Sequence, residues 1–347
     1  MRVAVTSPYD LGLPGGVQDQ AIRLSGWLDR LGHESVLIGP GEEGPEGAVL
    51  LGTTRLIKAN RAVTPIALNP RLSKNLKEAV ADVDVVHIHE PLMPLVGPTA
   101  TSINTHPTVG TFHADPPSWA RLGYRVGSAI WRKAINRLDV VTTVSHVSGS
   151  AIAPFVTARM IPNGIDVADY GHTEKVPNRV AFLGRDDERK GLQVLLDAWP
   201  SVLRAIPNAE LLVIGAKRDE DHKRVTFLGR VDGDEKAIEL GSAEVFCAPN
   251  LGGESFGIVV AEGMASGCAV VASAIPAFVG VLGDSGVLAS PGDRKGLSDA
   301  LISVLSDKQL LATKQQAAID AVARFDGSIV AAQYVDAYED AIVNHGS

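Results

Sequence analysis

Two glutamates, Glu254 and Glu262, bracket the segment Ser255-Phe256-Gly257-Ile258-Val259-Val260-Ala261, which turns from polar to apolar as it runs. With a helix beginning near Ser255, Glu254 lies at its mouth and Glu262 about 12 Å further along its axis, the span of a sugar nucleotide. One carboxylate can then accept hydrogen bonds from hexose hydroxyls and the other from a ribose diol, with a diphosphate on the free amides between them. Glu262 sits in an otherwise apolar stretch, where an unpaired carboxylate is costly, so a partner or ligand is expected there. Upstream, Gly184-Arg185-Asp186-Asp187-Glu188-Arg189-Lys190-Gly191 ends a strand and opens a helix at Leu192–Leu203. Arg185 supplies a bidentate fork, Lys190 a point charge and the helix start free amides, together a diphosphate clamp. A solvated charged turn is the plainer alternative, but so many charges of mixed sign at the functional end of a strand would then serve no purpose.

The amino-terminal half carries a second set. After its first strand, Pro14-Gly15-Gly16-Val17-Gln18 lets the backbone approach a ligand closely and opens a helix whose amides can face a phosphate. This is not the Gly-x-Gly-x-x-Gly fingerprint, which argues against a dehydrogenase. His87-Ile88-His89-Glu90-Pro91 closes another strand; alternation puts His87 and His89 on one face and Glu90 on the other. No third ligand stands at useful spacing, so a hydrogen-bonded structural role is expected rather than a metal site. His113 follows Gly110-Thr111-Phe112, just past a strand's carboxyl end, where it can hydrogen-bond a sugar or polarise a reacting group.

These residues need a scaffold of strands that end in loops. Short β-branched runs alternate with longer amphipathic stretches, the pattern of parallel sheets covered by helices. Strands are expected at Arg2–Thr6, Glu34–Ile38, Asp84–His89, Thr108–Phe112 and Asp139–Val144, and helices between them, Val17–Leu31 for example. The turn chemistry of Ile161-Pro162-Asn163-Gly164-Ile165-Asp166 suggests a domain boundary near 158/159. Strands then restart at Arg179–Leu183, Glu210–Ile214, Val225–Leu228, Glu244–Ala248, Ala269–Ala272 and Gly286–Leu288. A second domain thus covers 159–327, and a final helix in 328–347 could pack on either half, including back on the first. The 347 residues fit two such domains.

Residues 1–158 carry 14 Lys and Arg against 13 Asp and Glu, and residues 159–347 carry 18 against 27. In the first half the bases cluster: Arg55, Lys58, Arg61, Arg71, Lys74 and Lys77 occur with no acid between Glu46 and Glu78, and Arg121, Arg125, Arg132 and Lys133 interleave with Trp119, Tyr124 and Trp131. Bases mixed with aromatic rings suit the surface of an anionic membrane, although a solvated helix face is the commoner meaning of a charge run. The acidic whole and the lack of a reading motif argue against nucleic acid. No apolar run is long enough for an export segment or a membrane span. Cys247 and Cys268 read as small buried hydrophobes. A cytoplasmic protein with peripheral membrane contact is therefore expected.

Taken together, Pro14–Gln18, His87–Pro91, Gly110–His113, Ile161–Asp166, Gly184-Arg185 with Lys190-Gly191, and the Glu254/Glu262 pair resemble the retaining glycosyltransferases of family four over essentially the whole chain. Within that family, Pro14–Gln18, Phe227–Asp232 and Ala248–Val259 are most similar to the actinobacterial phosphatidyl-myo-inositol mannosyltransferases that use GDP-mannose. The resemblance implies the GT-B fold, two Rossmann-like α/β domains with parallel sheets facing across a cleft whose closure would exclude water. It implies His113, Arg185, Lys190 and Glu254 at the reaction centre. Donor contacts would come from Gly15, Gly16, Gly184, Asp232, Lys236, Ser255, Phe256, Gly257, Ile258 and Glu262, with Tyr9 and Gln18 on the acceptor side. The implied reaction moves mannose from GDP-mannose to an inositol phospholipid at the inner face of the plasma membrane, with no metal or cofactor. Departures from the mannosyltransferase pattern at Gly12, Leu92, Ala114 and Ser118 fall on the acceptor side, and in the base-binding segment Gly233 replaces an acid, though Asp234 follows. Two rival expectations are another nucleotide-sugar donor with a soluble acceptor, and a sugar-nucleotide epimerase or binding module of the same fold.

Overall fold

The computed structural model describes residues 1–52, 54–59, 62–67, 72–93, 96–101, 105–114, 128–171 and 173–345. The chain divides into two units: Met1–Gly164 with Gly327–Ser347, and Ile165–Asp326.

In the first unit the strands are β1 (Arg2–Thr6), β2 (Glu34–Gly39), β3 (Val49–Leu50), β4 (Thr54–Ala59), β5 (Ala62–Ala67), β6 (Val85–His89), β7 (Thr108–Phe112), β8 (Val140–Thr143) and β9 (Arg159–Met160). All but β4 and β5, which form a separate antiparallel hairpin, join one sheet in the order β3-β2-β1-β6-β7-β8-β9. Its pairings are parallel. Val3, Ala4 and Val5 are wholly buried, as a central strand covered on both faces requires. Among the described residues before Gly164 the helices are α1 (Gly16–Arg30), α2 (Leu72–Ala79), α3 (Val96–Thr101), α4 (Ser128–Ile135) and α5 (His146–Gly149). On α1, Ala21, Leu24 and Leu28 recur at helical spacing and pack with Val3 and Val5.

The second unit contains β10 (Val176–Leu183), α6 (Leu192–Ala205), β11 (Glu210–Ile214), β12 (Val225–Gly229), α7 (Gly233–Gly241), β13 (Ala243–Ala248), α8 (Ile258–Ala265), β14 (Ala269–Ser273), α9 (Pro276–Leu282), β15 (Val287–Ala289), α10 (Arg294–Ser306) and α11 (Lys308–Val322). Its parallel sheet runs β12-β11-β10-β13-β14-β15. In both sheets the strand order reverses beside one strand, β1 or β10, so the loops leaving it and its neighbour part and open a crevice at their carboxyl ends.

The last helix, α12 (Gly327–His345), belongs to the first unit, where Tyr334, Tyr338 and Ala341 bury against the α1 face of the sheet. Arg159 pairs with Asp340, and His345 Nδ1 lies 3.2 Å from Asp139. The seam falls after Gly164 rather than at 158/159 because β9 extends the first sheet through its pairing with β8. Of the basic segments, Lys74 and Lys77 are exposed on α2, and Arg132 and Lys133 on α4. Arg55 and Lys58 fall on the backbone of β4; Arg61, Arg71, Trp119, Arg121, Tyr124 and Arg125 lie outside the described residues.

Candidate active site

In the second unit, the loop after β10 (Gly184–Gly191) and the loop after β13 (Pro249–Gly257) flank the reversal point and touch. Gly191 adopts a φ of 70°, and a Cβ there would stand 2.0 Å from the Pro249 carbonyl oxygen, so only glycine lets the loops meet. The Leu251 amide donates to the Arg189 carbonyl at 2.8 Å and completes the seam between them. Above it, Lys190 Nζ donates to Glu254 Oε1 at 2.5 Å, and Asn250 Nδ2 donates to the same oxygen at 2.9 Å.

Helix α8 begins at Ile258, not near Ser255, because Gly257 at φ 105° stands in the left-handed region and stops the helix from reaching further back. Glu254 therefore sits in the loop, and the axial distance drawn from a continuous helix does not apply. No side chain caps the start of α8, so no side-chain acceptor occupies the opening amides of its first turn. Further in, Glu262 is buried on α8, and its Oε1 accepts from Lys236 Nζ at 2.6 Å and from the Tyr170 hydroxyl at 2.8 Å. Lys236 and Tyr170 are the partners that so costly a carboxylate required. Asp232 caps α7, accepting from the Glu235 amide at 2.8 Å. Phe256 is buried edge-on against Phe325, and Gly184 packs over the Phe182 ring.

The charged turn is partly structural, contrary to the sequence argument that its charges would otherwise be idle. Arg218 grips Asp186 with two bonds of 2.8 Å, and Arg189 holds Asp187 at 2.9 and 3.2 Å, while Asp187 also caps the turn through the Arg189 amide. These hydrogen bonds, from Arg189 above all, hold the Asp187 carboxyl down to about 2. What remains for a ligand is Arg185, exposed at the lip of the loop, and Lys190.

In the first unit, Gly15 precedes α1 in extended backbone with no side-chain cap, and a Cβ on Gly16 would meet nothing within 4 Å. Gln18 is buried beneath, its Nε2 donating to the Asp10 carbonyl at 3.4 Å, with Tyr9 half-buried alongside. Three histidines gather at the ends of β6 and β7. His87 Nδ1 lies 2.8 Å from the Tyr338 hydroxyl and Nε2 2.6 Å from Thr111 Oγ1. His89 stacks on His87 with centroids 4.4 Å apart, and its Nδ1 lies 2.7 Å from His113 Nε2. Asn163 hydrogen-bonds His113 as well. Burial drives all three rings neutral, His87 to about 3, His113 to about 4 and His89 well below its ordinary value, with the neighbouring histidines pushing His87 and His89 further. The structural role expected for His87 and His89 is what the hydrogen bonds describe. Strand alternation fails at Glu90, whose φ of 51° turns its carboxylate onto the His113 and Ala114 amides. Among the described residues no three His, Cys, Asp or Glu side chains gather to hold a metal, and no helix is long and apolar enough to cross a membrane.

Sequence reading missed Tyr170, Asn250 and Asn163. Tyr170 gives no local signal, since it meets Glu262 across 92 positions of chain. Asn250 and Asn163 stood in motifs already singled out, one flanking Glu254 and the other in the Pro-Asn-Gly turn.

The model of Glycosyltransferase Family 4 matches residues 14–169, and that of Glycosyl transferases group 1 matches residues 177–307. The phosphatidyl-myo-inositol mannosyltransferase of Mycolicibacterium smegmatis is 37% identical over 364 residues, covering 98% of this chain and 94% of that one. The chain is a family 4 glycosyltransferase. This glycosyltransferase is also 32% identical to the phosphatidyl-myo-inositol mannosyltransferase of Propionibacterium freudenreichii, over all of this chain and 97% of the relative. Among solved structures, Anabaena HepE in complex with UDP and glucose superposes with a TM-score of 0.74 at 19% identity, covering 98% of this chain and 99% of that one. Sucrose-phosphate synthase of Thermosynechococcus elongatus gives 0.73 at 20% identity, covering 97% and 98%. The glycosyltransferase shares their GT-B fold of two Rossmann-like parallel-sheet units.

Proposed function

We propose that this glycosyltransferase moves mannose from GDP-mannose, with retention, to the inositol ring of a phosphatidylinositol lipid, acting as a peripheral protein at the cytoplasmic face of the membrane. The observation that carries the reading is the pair of anchored carboxylates in the second unit, Glu254 on Lys190 and Glu262 on Lys236 and Tyr170, with an uncapped helix start between them. The shared name of relatives 32 and 37% identical over nearly the full chain supports mannose and the inositol lipid as substrates.

In this reading the diphosphate rests on the first amides of α8, and Arg185 and Lys190 neutralise the charge that grows on it as the sugar leaves. Lys190 then exchanges part of its contact with Glu254 for phosphate, which frees the Glu254 carboxylate to accept from mannose hydroxyls. Glu262 presents its other oxygen to the ribose diol. Asp232 and Lys236 border the base, His113 faces the sugar, and Tyr9 and Gln18 meet the acceptor. No side chain is assigned as a nucleophile. The acceptor hydroxyl attacks from the leaving-group side and gives its proton to the departing phosphate. The two cations take the part a metal plays elsewhere, so chelators leave turnover unchanged.

The test is a thermal-shift screen of GDP-, UDP- and ADP-sugars, followed by radiolabel transfer to phosphatidylinositol vesicles and to soluble inositol phosphate. GDP-mannose should stabilise most, label should enter the lipid, and Arg185→Ala and Lys190→Ala should each lose about 100-fold or more in turnover. Near-full transfer by either variant, or label entering only the soluble acceptor, overturns the assignment.

A further inference from the structure

Glu90 does something that no role given so far requires. It is buried at the end of β6 with a φ of 51°, a conformation few glutamates adopt. Its amide donates to the Thr111 carbonyl at 2.8 Å, which prolongs the β6–β7 pairing by one residue. Its Oε1 then reaches past the end of β7 and accepts two amides, from His113 at 2.7 Å and from Ala114 at 2.6 Å. The carboxylate gives up its hydration for two neutral amide donors, a costly way to satisfy them when a neutral amide side chain would offer the same acceptor oxygen. Backbone strain and a buried acid together mark a place where stability yields to function.

We propose that Glu90 is a positioning residue of transfer: its carboxylate clips the turn at residues 113–114 and so fixes how His113 is presented to the sugar. The inference rests on the role given to His113 above. The clip sets the direction in which the chain leaves β7, and the His113 ring is then held between His89 and Asn163. Without the acceptor, the His113 amide is orphaned in a buried place and the turn must move to find water. A shift of about 1 Å in a positioned group is enough to cost about 100-fold in turnover.

The experiment compares three variants of the full chain by turnover and by calorimetric binding of GDP, whose proposed contacts lie mainly in the other unit. Glu90→Ala should lower kcat about 100-fold while GDP affinity stays within about 2-fold of wild type. Glu90→Gln keeps an acceptor oxygen in place and should stay within about 3-fold of wild type; Glu90→Asp keeps the charge but withdraws the oxygen by a methylene and should fall like alanine. Should Glu90→Ala fail to fold, the Gln and Asp pair still decides. An aspartate variant as fast as wild type, or a loss of GDP affinity that accounts for the loss of rate, overturns the proposal. Adding Glu90→Ala to His113→Ala should cost less than about 3-fold more, and losses that multiply independently overturn positioning through His113. If His113→Ala alone transfers at full rate, the role given to His113 fails and positioning through it fails too; a slow His113→Ala beside a full-rate Glu90→Ala overturns the clip alone and leaves the role of His113 standing.

Discussion

Three histidines held neutral in one cluster give the first unit a built-in sensitivity to acid. Unfolded, each ring titrates near 6.5; folded, His87 and His113 do so at about 3 and about 4, and His89 well below normal. Below pH 6.5 the unfolded chain therefore binds protons that the folded one refuses, and stability falls as pH drops from about 6.5 towards 4. Glu90 works the other way. Burial raises its pKa from 4.5 to about 7, against the pull of the Ala114 and His113 amides, so it favours the folded state as pH falls through that window. One carboxyl against three rings does not reverse the sign. The expected outcome is a melting temperature that declines from pH 6.5 to 4, and a shallower decline in His87→Gln; urea or thermal unfolding across that range checks both. At this scale much of the candidate site was legible, because Lys190, Glu254 and Glu262 are charges placed where strands end or helices are apolar. Tyr170 and the histidine stack were not, since their partners are set by the tertiary fold and not by neighbours in sequence.

Among the elements, the contact between the loops after β10 and β13 is the one the site depends on most directly. Gly191→Ala places a methyl into the Pro249 carbonyl and forces a left-handed backbone on alanine, a cost of about 2–4 kcal/mol. The expected outcome is a lower unfolding midpoint together with weakened binding of the proposed donor, GDP-mannose, measured by thermal shift with and without it; unchanged binding would show that the two loops act separately. The strands that carry these loops were readable because buried parallel strands leave unbroken apolar runs, as Val180–Phe182 and Val245–Ala248 do. What escaped was short or without a period. β3 and β9 have two residues each, too few for any period, and β4 and β5, Thr54–Ala59 and Ala62–Ala67, lie in a basic segment whose polar and apolar residues do not alternate. The start of α8 was misjudged because a glycine following Phe256 reads equally well as the first turn of a helix or the residue before it.

Across the whole molecule, the division of charge persists in the folded units: the exposed Lys74, Lys77, Arg132 and Lys133 stand on helices of the first, while the second carries the acidic excess. Replacing these four residues by Ser should weaken binding to vesicles containing anionic lipid, and the difference from wild type should shrink as salt rises from 0.05 to about 0.5 M. Sedimentation of the protein with vesicles measures it, and equal binding at low salt would assign these bases to plain solvation. The return of α12 to the first unit carries a different kind of consequence. A ribosome makes β1 well before the helix that covers it, with the whole of the second unit synthesised in between. The first unit therefore cannot close until the second has been made, and for that interval the apolar seat of Tyr334 and Tyr338 stands uncovered, a surface on which a nascent polypeptide can stick to its neighbours.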